Sequence, residues 1–329
     1  MELLKPNPEE AAAGLRAMVM VARAPGEIAP PARALLAAAQ KVVLGTDVDI
    51  DRLEEITPDE LARALARPEI RRQLVQGMIV VSMSSGEPPV AQSDLVERFA
   101  GALAVETQAL RALRHLASRD ILLYKLCVLR NGHLPDMLRD QYKHQGITGV
   151  AKAVLGIKGL AEEPEVAARY HALEKLPDDR LGKRLWHHYQ DNKFKFPGEK
   201  NGFPEAGVYH DVSHVLAGYN TTPEGETLVG VFISGYRQAR ADHGFFTLMF
   251  VVSIFSTGID VTPIDVGART GTVGKIAEQF LEAIQRGAAV GTDLSNDWNH
   301  WPYMELPLEE ARQRLDVRPK QGGHAWDYP

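Results

Sequence analysis

Between Val208 and Phe232 the chain spells out a helix, a stop and a second helix, and no other segment constrains the fold as tightly. Val208 to Ala217 is helix-forming and runs into Gly218, the residue type that ends helices in the left-handed conformation. Tyr219-Asn220-Thr221-Thr222 is turn-like, and Pro223 suits the first turn of a new helix through Leu228, Val231 and Phe232. His210 and His214 are four apart, so they share a helix face. His214 lies four residues before the stop and Glu226 three after the restart, so an antiparallel pair sets Glu226 level with His214. The spacing predicts spatial contact across eleven intervening residues.

Two imidazole nitrogens and a carboxylate at a helix junction suit zinc or ferrous iron, with positions left open for substrate or oxygen. Asp211 sits next to His210, rotated about 100° around the helix. From there it ligates at the edge, orients a ligand or acts as a base. The zinc-protease motif carries Glu at that place, and Asp is one methylene shorter, which disfavours peptide hydrolysis. The other histidines read as structural: His187-His188 on a charged surface helix, and His243 and His300 among apolar neighbours.

Outside the hairpin the chain reads as helical, with few strand-like alternations. Its 329 residues suggest two domains, at 1–118 and 119–329. Pro30-Pro31 opens one helix, with Gly45 past its end, and Thr57-Pro58-Asp59-Glu60 opens another with a capping box. Gly26-Glu27 followed by Leu35-Leu36 repeats as Gly86-Glu87 followed by Leu95-Val96, which suggests two related helical hairpins packed face to face. Leu176-Pro177-Asp178-Asp179 begins a helix through Tyr189, and a last helix starts near Pro307. The tail after Lys320, with Gly322 and Gly323, reads as loose.

A net charge of −6 gives no basic footprint for nucleic acid. The single cysteine, Cys127, excludes an intrachain disulfide and reads as a buried, inert thiol in an apolar run. The run Ala17–Ala22 is too short and wrongly flanked for a signal peptide. Phe245–Phe255 is too short to span a bilayer and reads as a buried helix, with a wall for a lipidic ligand as second reading. Two decoys fail: Asp47-Val48-Asp49-Ile50-Asp51 has Arg52 where a calcium loop needs glycine, and Gly267–Lys275 has Arg269 where a phosphate loop needs one. These features point to a cytoplasmic protein with at most peripheral contact at the inner membrane surface.

Two resemblances sharpen this. The segment 10–107 resembles the tellurite-resistance B-like (TerB-like) helical domain through its repeated Gly-Glu motif. That family's leading Asp is replaced by Pro25 and Ser85, and its later acid by Ala32 and Gln92, so the resemblance implies a helical accessory domain without metal. The pattern His-Asp-x-x-His-x₁₁-Glu, with Gly218 four after the second His, resembles the fourth coenzyme Q biosynthesis family. Leu176-Pro177 with Leu181-Gly182, and the ending Trp298–Leu315, are similar to that family's flanking segments. The resemblance implies an all-α fold and metal binding by His210, Asp211, His214 and Glu226. It also implies action on a polyprenylated quinone precursor, with the ring carboxyl at C1 exchanged for hydroxyl by oxidative decarboxylation, and assembly with other quinone-biosynthesis proteins. The expectation is therefore an all-α, two-domain metalloenzyme of ubiquinone biosynthesis, with zinc or iron as cofactor, Asp211 as proton shuttle and Phe245–Phe255 as apolar wall. The alternative is a lipid-binding scaffold with a structural metal. Homo-oligomerisation is left open.

Overall fold

The computed structural model describes residues 3–133, 135, 136, 138, 139, 143, 162–238, 242–261 and 270–328. The decoy at Gly267–Lys275 lies partly outside them. Within these residues the fold is all-α, with sixteen helices and no strand. In chain order they are α1 (Pro8–Arg23), α2 (Pro30–Ala39), α3 (Pro58–Ala64), α4 (Pro68–Met83), α5 (Val90–Ala102), α6 (Gln108–Ala117), α7 (Ile121–Asn131) and α8 (Pro164–Ala172). There follow α9 (Leu181–Asp191), α10 (Val208–Ala217), α11 (Pro223–Tyr236), α12 (His243–Phe255), α13 (Thr272–Lys275), α14 (Ala277–Ala289), α15 (Trp301–Met304) and α16 (Leu308–Arg314).

Local chemistry sets many of the starts. Pro occupies the first turn of α1, α2, α3, α4, α8 and α11, where its missing N–H costs no hydrogen bond. Asn7 with Glu10, and Thr57 with Glu60, close reciprocal capping boxes. The repeat is structural. The α1–α2 hairpin turns at Gly26 (φ 125°) and the α4–α5 hairpin at Gly86 (φ 119°). The hairpins pack on one another, and buried Gln92 donates to the Val21 carbonyl at 3.0 Å, using its amide to tie them together.

Residues from both halves enter one apolar cluster, running from Ala13 to Val317. α2 lies on α13 and α14, and α4 and α7 lie on α12. α12 is buried along almost its whole length, as the first sequence reading expected. An apolar cavity of about 120 Å³ is bordered by Phe245, Leu248 and Phe280 on one side and Leu35 and Val80 on the other. That is smaller than the roughly 150 Å³ cavity that holds benzene. None of the metal-motif residues lines it. α11 is pressed onto α12 and α14. Gly287 permits the closest approach, since a Cβ there would stand 1.9 Å from the Phe232 carbonyl oxygen.

Two expectations are corrected. α7 buries Tyr124 and Val128 but leaves Leu122 71% and Leu126 55% exposed, so Cys127 is half-buried rather than enclosed. The tail beyond Lys320 is packed. Asp327 pairs with Lys320 at 2.7 Å, the Asn220 N–H donates to the Trp326 carbonyl at 2.9 Å, and the Tyr328 N–H donates to the Gly218 carbonyl at 3.0 Å. The aromatic residues hold what the glycines alone would leave loose.

Candidate metal centre

α10 stops where the sequence says it must, with Gly218 left-handed at φ 76°. A helix end leaves its last carbonyls without intrahelical donors, and here cations supply them. Arg312 donates to the carbonyls of Val215 (3.1 Å) and Leu216 (2.9 Å). Arg286 donates to Ala217 (3.0 Å) and Lys320 to Gly218 (2.5 Å). The turn that follows is held by Asn220, whose Oδ1 accepts from the Thr222 N–H at 3.1 Å. Thr222 then caps α11 by accepting from the Gly225 N–H at 3.2 Å. The return helix thus brings Glu226 back to the face that carries both histidines.

The ligand atoms of His210, His214 and Glu226 all lie within 4.8 Å of one another. His214 Nε2 is 3.4 Å from Glu226 Oε1, and His210 Nε2 is 3.5 Å from Glu226 Oε2. Donors bonded at about 2.1 Å in a tetrahedral shell stand about 3.4 Å apart, so these gaps fit a zinc-sized ion. The other ring nitrogens fix the orientation. Nδ1–H of His214 donates to the Tyr219 carbonyl at 2.9 Å, and Nδ1 of His210 faces Asp211 Oδ1 at 3.3 Å. Both arrangements leave the Nε2 lone pair for a metal, the usual role of a carbonyl or carboxylate behind a ligating imidazole. His214 is 1% exposed, whereas His210 and Glu226 are 36% and 29% exposed, so the site opens to solvent on one side.

Asp211 stands apart from the converging trio. One oxygen faces the His210 ring, and the other accepts the Tyr189 hydroxyl from α9. Burial works against the His210 imidazolium, but the Asp211 hydrogen bond and the charge of Glu226 outweigh it and raise its pKa. Burial likewise opposes the Asp211 carboxylate, yet bonding to His210 and the charges of His210 and His188 hold its pKa below the ordinary range. Glu226 follows the same pattern: burial is outweighed by the charge and hydrogen bond of His214.

His188 corrects the surface-helix expectation. It is fully buried on α9, stacked on His214 at a ring separation of 5.0 Å, with Nε2 4.0 Å from Asp211 Oδ1. Burial, reinforced by the charge of His214, pushes its pKa down to about 4. The signal was in the sequence, because Leu181, Leu185 and His188 fall on one helical stripe while His187 points away from it. Tyr189, the partner of Asp211, was also missed as a site residue. His300 is structural as expected, its Nε2 2.9 Å from the Tyr170 hydroxyl.

The structure thus defines an all-helical protein with a two-histidine, one-carboxylate cluster at a helical hairpin, open on one side. No family model and no curated protein matches the chain. Among solved structures it is similar to a protein of Nostoc punctiforme PCC 73102, provisionally assigned to ubiquinone biosynthesis, with 18% identity over 76% of this chain and 98% of that one and a TM-score of 0.31. That overlap is loose. No helix among the described residues is long and apolar enough to cross a membrane.

Proposed function

We propose that this chain is a divalent-metal protein of quinone biosynthesis, with His210, His214 and Glu226 as ligands and Asp211 as the residue that positions His210. The observation that carries the metal reading is the convergence of two histidine Nε2 atoms on one carboxylate, at 3.5 and 3.4 Å. The pathway and substrate rest on the motif resemblance: a polyprenylated ring acid whose C1 carboxyl leaves as carbon dioxide and is replaced by hydroxyl, a two-electron oxidation with dioxygen as oxidant and oxygen source.

When bound, zinc or ferrous iron supplies Lewis acidity toward a ring carboxylate or phenolate. The chain's own groups do the rest. Tyr219 and Asp211 lock the two imidazoles, and the buried side of His214 keeps water off one face. The Tyr189 hydroxyl and His210 Nδ1–H both donate to Asp211, which holds the imidazole with its Nε2 lone pair turned toward His214 and Glu226. The prenyl tail lies outside the small core cavity and brings the protein to the cytoplasmic face of a bilayer, where other pathway proteins meet it.

The rival reading is a lipid-binding scaffold around a structural metal. Structural zinc is enclosed by four protein ligands. Three converging ligands with solvent access on one side favour the enzyme. The test is elemental analysis of protein purified from its own host, with conversion of a prenylated ring acid to its hydroxylated, carbon dioxide-depleted product. One equivalent of metal held at the hairpin, and turnover with it, both lost in His214→Ala, is the expected result. Metal-free protein with full turnover, or His214→Ala unchanged in both, would overturn it.

A further inference from the structure

We propose that His133, Asp136 and His243 hold a second divalent transition-metal ion of the zinc class, independent of the hairpin site. Each of the three offers a ligand atom, and these atoms lie within 4.8 Å of one another. His243 Nε2 is 3.3 Å from Asp136 Oδ2, close to the roughly 3.4 Å edge of a tetrahedral shell with bonds of about 2.1 Å. The His133 and His243 rings lie nearly parallel, 25° apart with centroids at 6.0 Å. His243 and Asp136 are buried, at 1% and 4% exposure, and His133 is half-buried beside them.

The chain brings these groups together from distant places. His133 and Asp136 are three apart, just past the end of α7, while His243 opens α12 more than a hundred residues later. Asp242, the residue before it, is left-handed at φ 61°. Its carboxylate turns to the N-terminal helices, where Arg72, Gln76 and Thr107 donate to it at 3.2, 3.2 and 3.0 Å. Anchoring Asp242 in this way fixes where α12 begins, and so fixes His243 against Asp136. Asp242 itself is taken up there, which leaves a donor set of two imidazoles and one carboxylate. That set suits zinc, cobalt or ferrous iron and is poorly matched to magnesium or calcium, which take oxygen ligands.

The two sites share no residue, yet they are neighbours. The His133 ring stands edge-on to Tyr209 at 5.2 Å, and Tyr209 immediately precedes His210. An ion here would clamp the end of α7 to the start of α12, closing a long loop and stabilising the native chain by mass action.

The test uses the full-length chain and cobalt(II) or zinc with a competing chelator. Wild type is expected to bind two equivalents. His214→Ala/Glu226→Ala should bind one, and adding His133→Ala or Asp136→Asn should abolish it. Cobalt should raise the melting temperature of the doubly substituted protein but not that of the versions lacking His133 or Asp136. His133 is chosen because it is half-buried, and Asp136→Asn keeps the buried shape, so a folding failure of one leaves the other to decide. A His214→Ala/Glu226→Ala protein that binds no metal overturns the second site, as does a remaining equivalent indifferent to both further substitutions. If instead the wild type binds one equivalent that depends on His133 and ignores His214, the second site stands and the hairpin reading falls.

Discussion

Asp211→Asn separates three roles for one carboxylate. The substitution keeps the side-chain volume and an acceptor oxygen but removes the charge that faces His210 Nδ1 at 3.3 Å. Loss of such a supporting group weakens metal binding by about 10- to 100-fold. At about 1.4 kcal/mol per decade that is roughly 1.4–2.8 kcal/mol. A direct ligand behaves differently: His214→Ala should lose the hairpin equivalent altogether. Because Asp211 helps to raise the His210 pKa, protons compete with metal more strongly in wild type than in the variant. The penalty should therefore be fullest at pH 8 and shrink as pH falls toward 6. The assay is chelator-competed zinc or cobalt titration at both pH values, with circular dichroism to confirm folding. An Asp211→Asn protein that loses the hairpin equivalent as fully as His214→Ala would make Asp211 a ligand, and one with unchanged affinity would make it a bystander. Either result refutes the positioning argument.

Three further outcomes follow from the packing and the charges. Gly287→Ala places a methyl 1.9 Å from the Phe232 carbonyl oxygen and should cost about 3 kcal/mol in a urea unfolding series. Arg286→Met removes donors from the Ala217 carbonyl and the Tyr219 hydroxyl, so stability should fall by about 3 kcal/mol, and metal affinity should fall with it as the hairpin turn loosens. His300 is buried with a pKa pushed down to about 4 by burial and then by the charge of Arg169. The unfolded chain takes up that proton near pH 6.5 while the folded one does not, so His300 makes no demand above pH 6.5 and destabilises progressively as pH falls from 6.5 to 4. The loss should reach about 3 kcal/mol at pH 4, and His300→Gln should flatten that part of the melting-temperature profile.

How much could be read from the chain alone depended on how local the signal was. Gly218, Thr222 and Pro223 act on their own backbone, so the stop and restart of the hairpin, and with them the meeting of His214 and Glu226, were legible. The sixty-residue repeat was legible for the same reason, as each copy builds the same turn at Gly26 and Gly86. Asp211 was only partly legible. A rotation of about 100° from His210 allows ligand, positioner or base, and what separates them is Tyr189 on another helix. His243 and its partners were hidden because their meeting depends on Asp242 reaching α4, a contact between residues some 170 positions apart. The tail misled because its glycines were weighed and its aromatics were not.

The grip of residues 324–328 on the carbonyl of Gly218 and the amide of Asn220 has a practical side. A protease that nicks the bend at Gly322-Gly323 would unfasten the hairpin while leaving every ligand in place. Preparations clipped there should come off a column short of metal, and an intact-mass spectrum would tell that loss from a weak site.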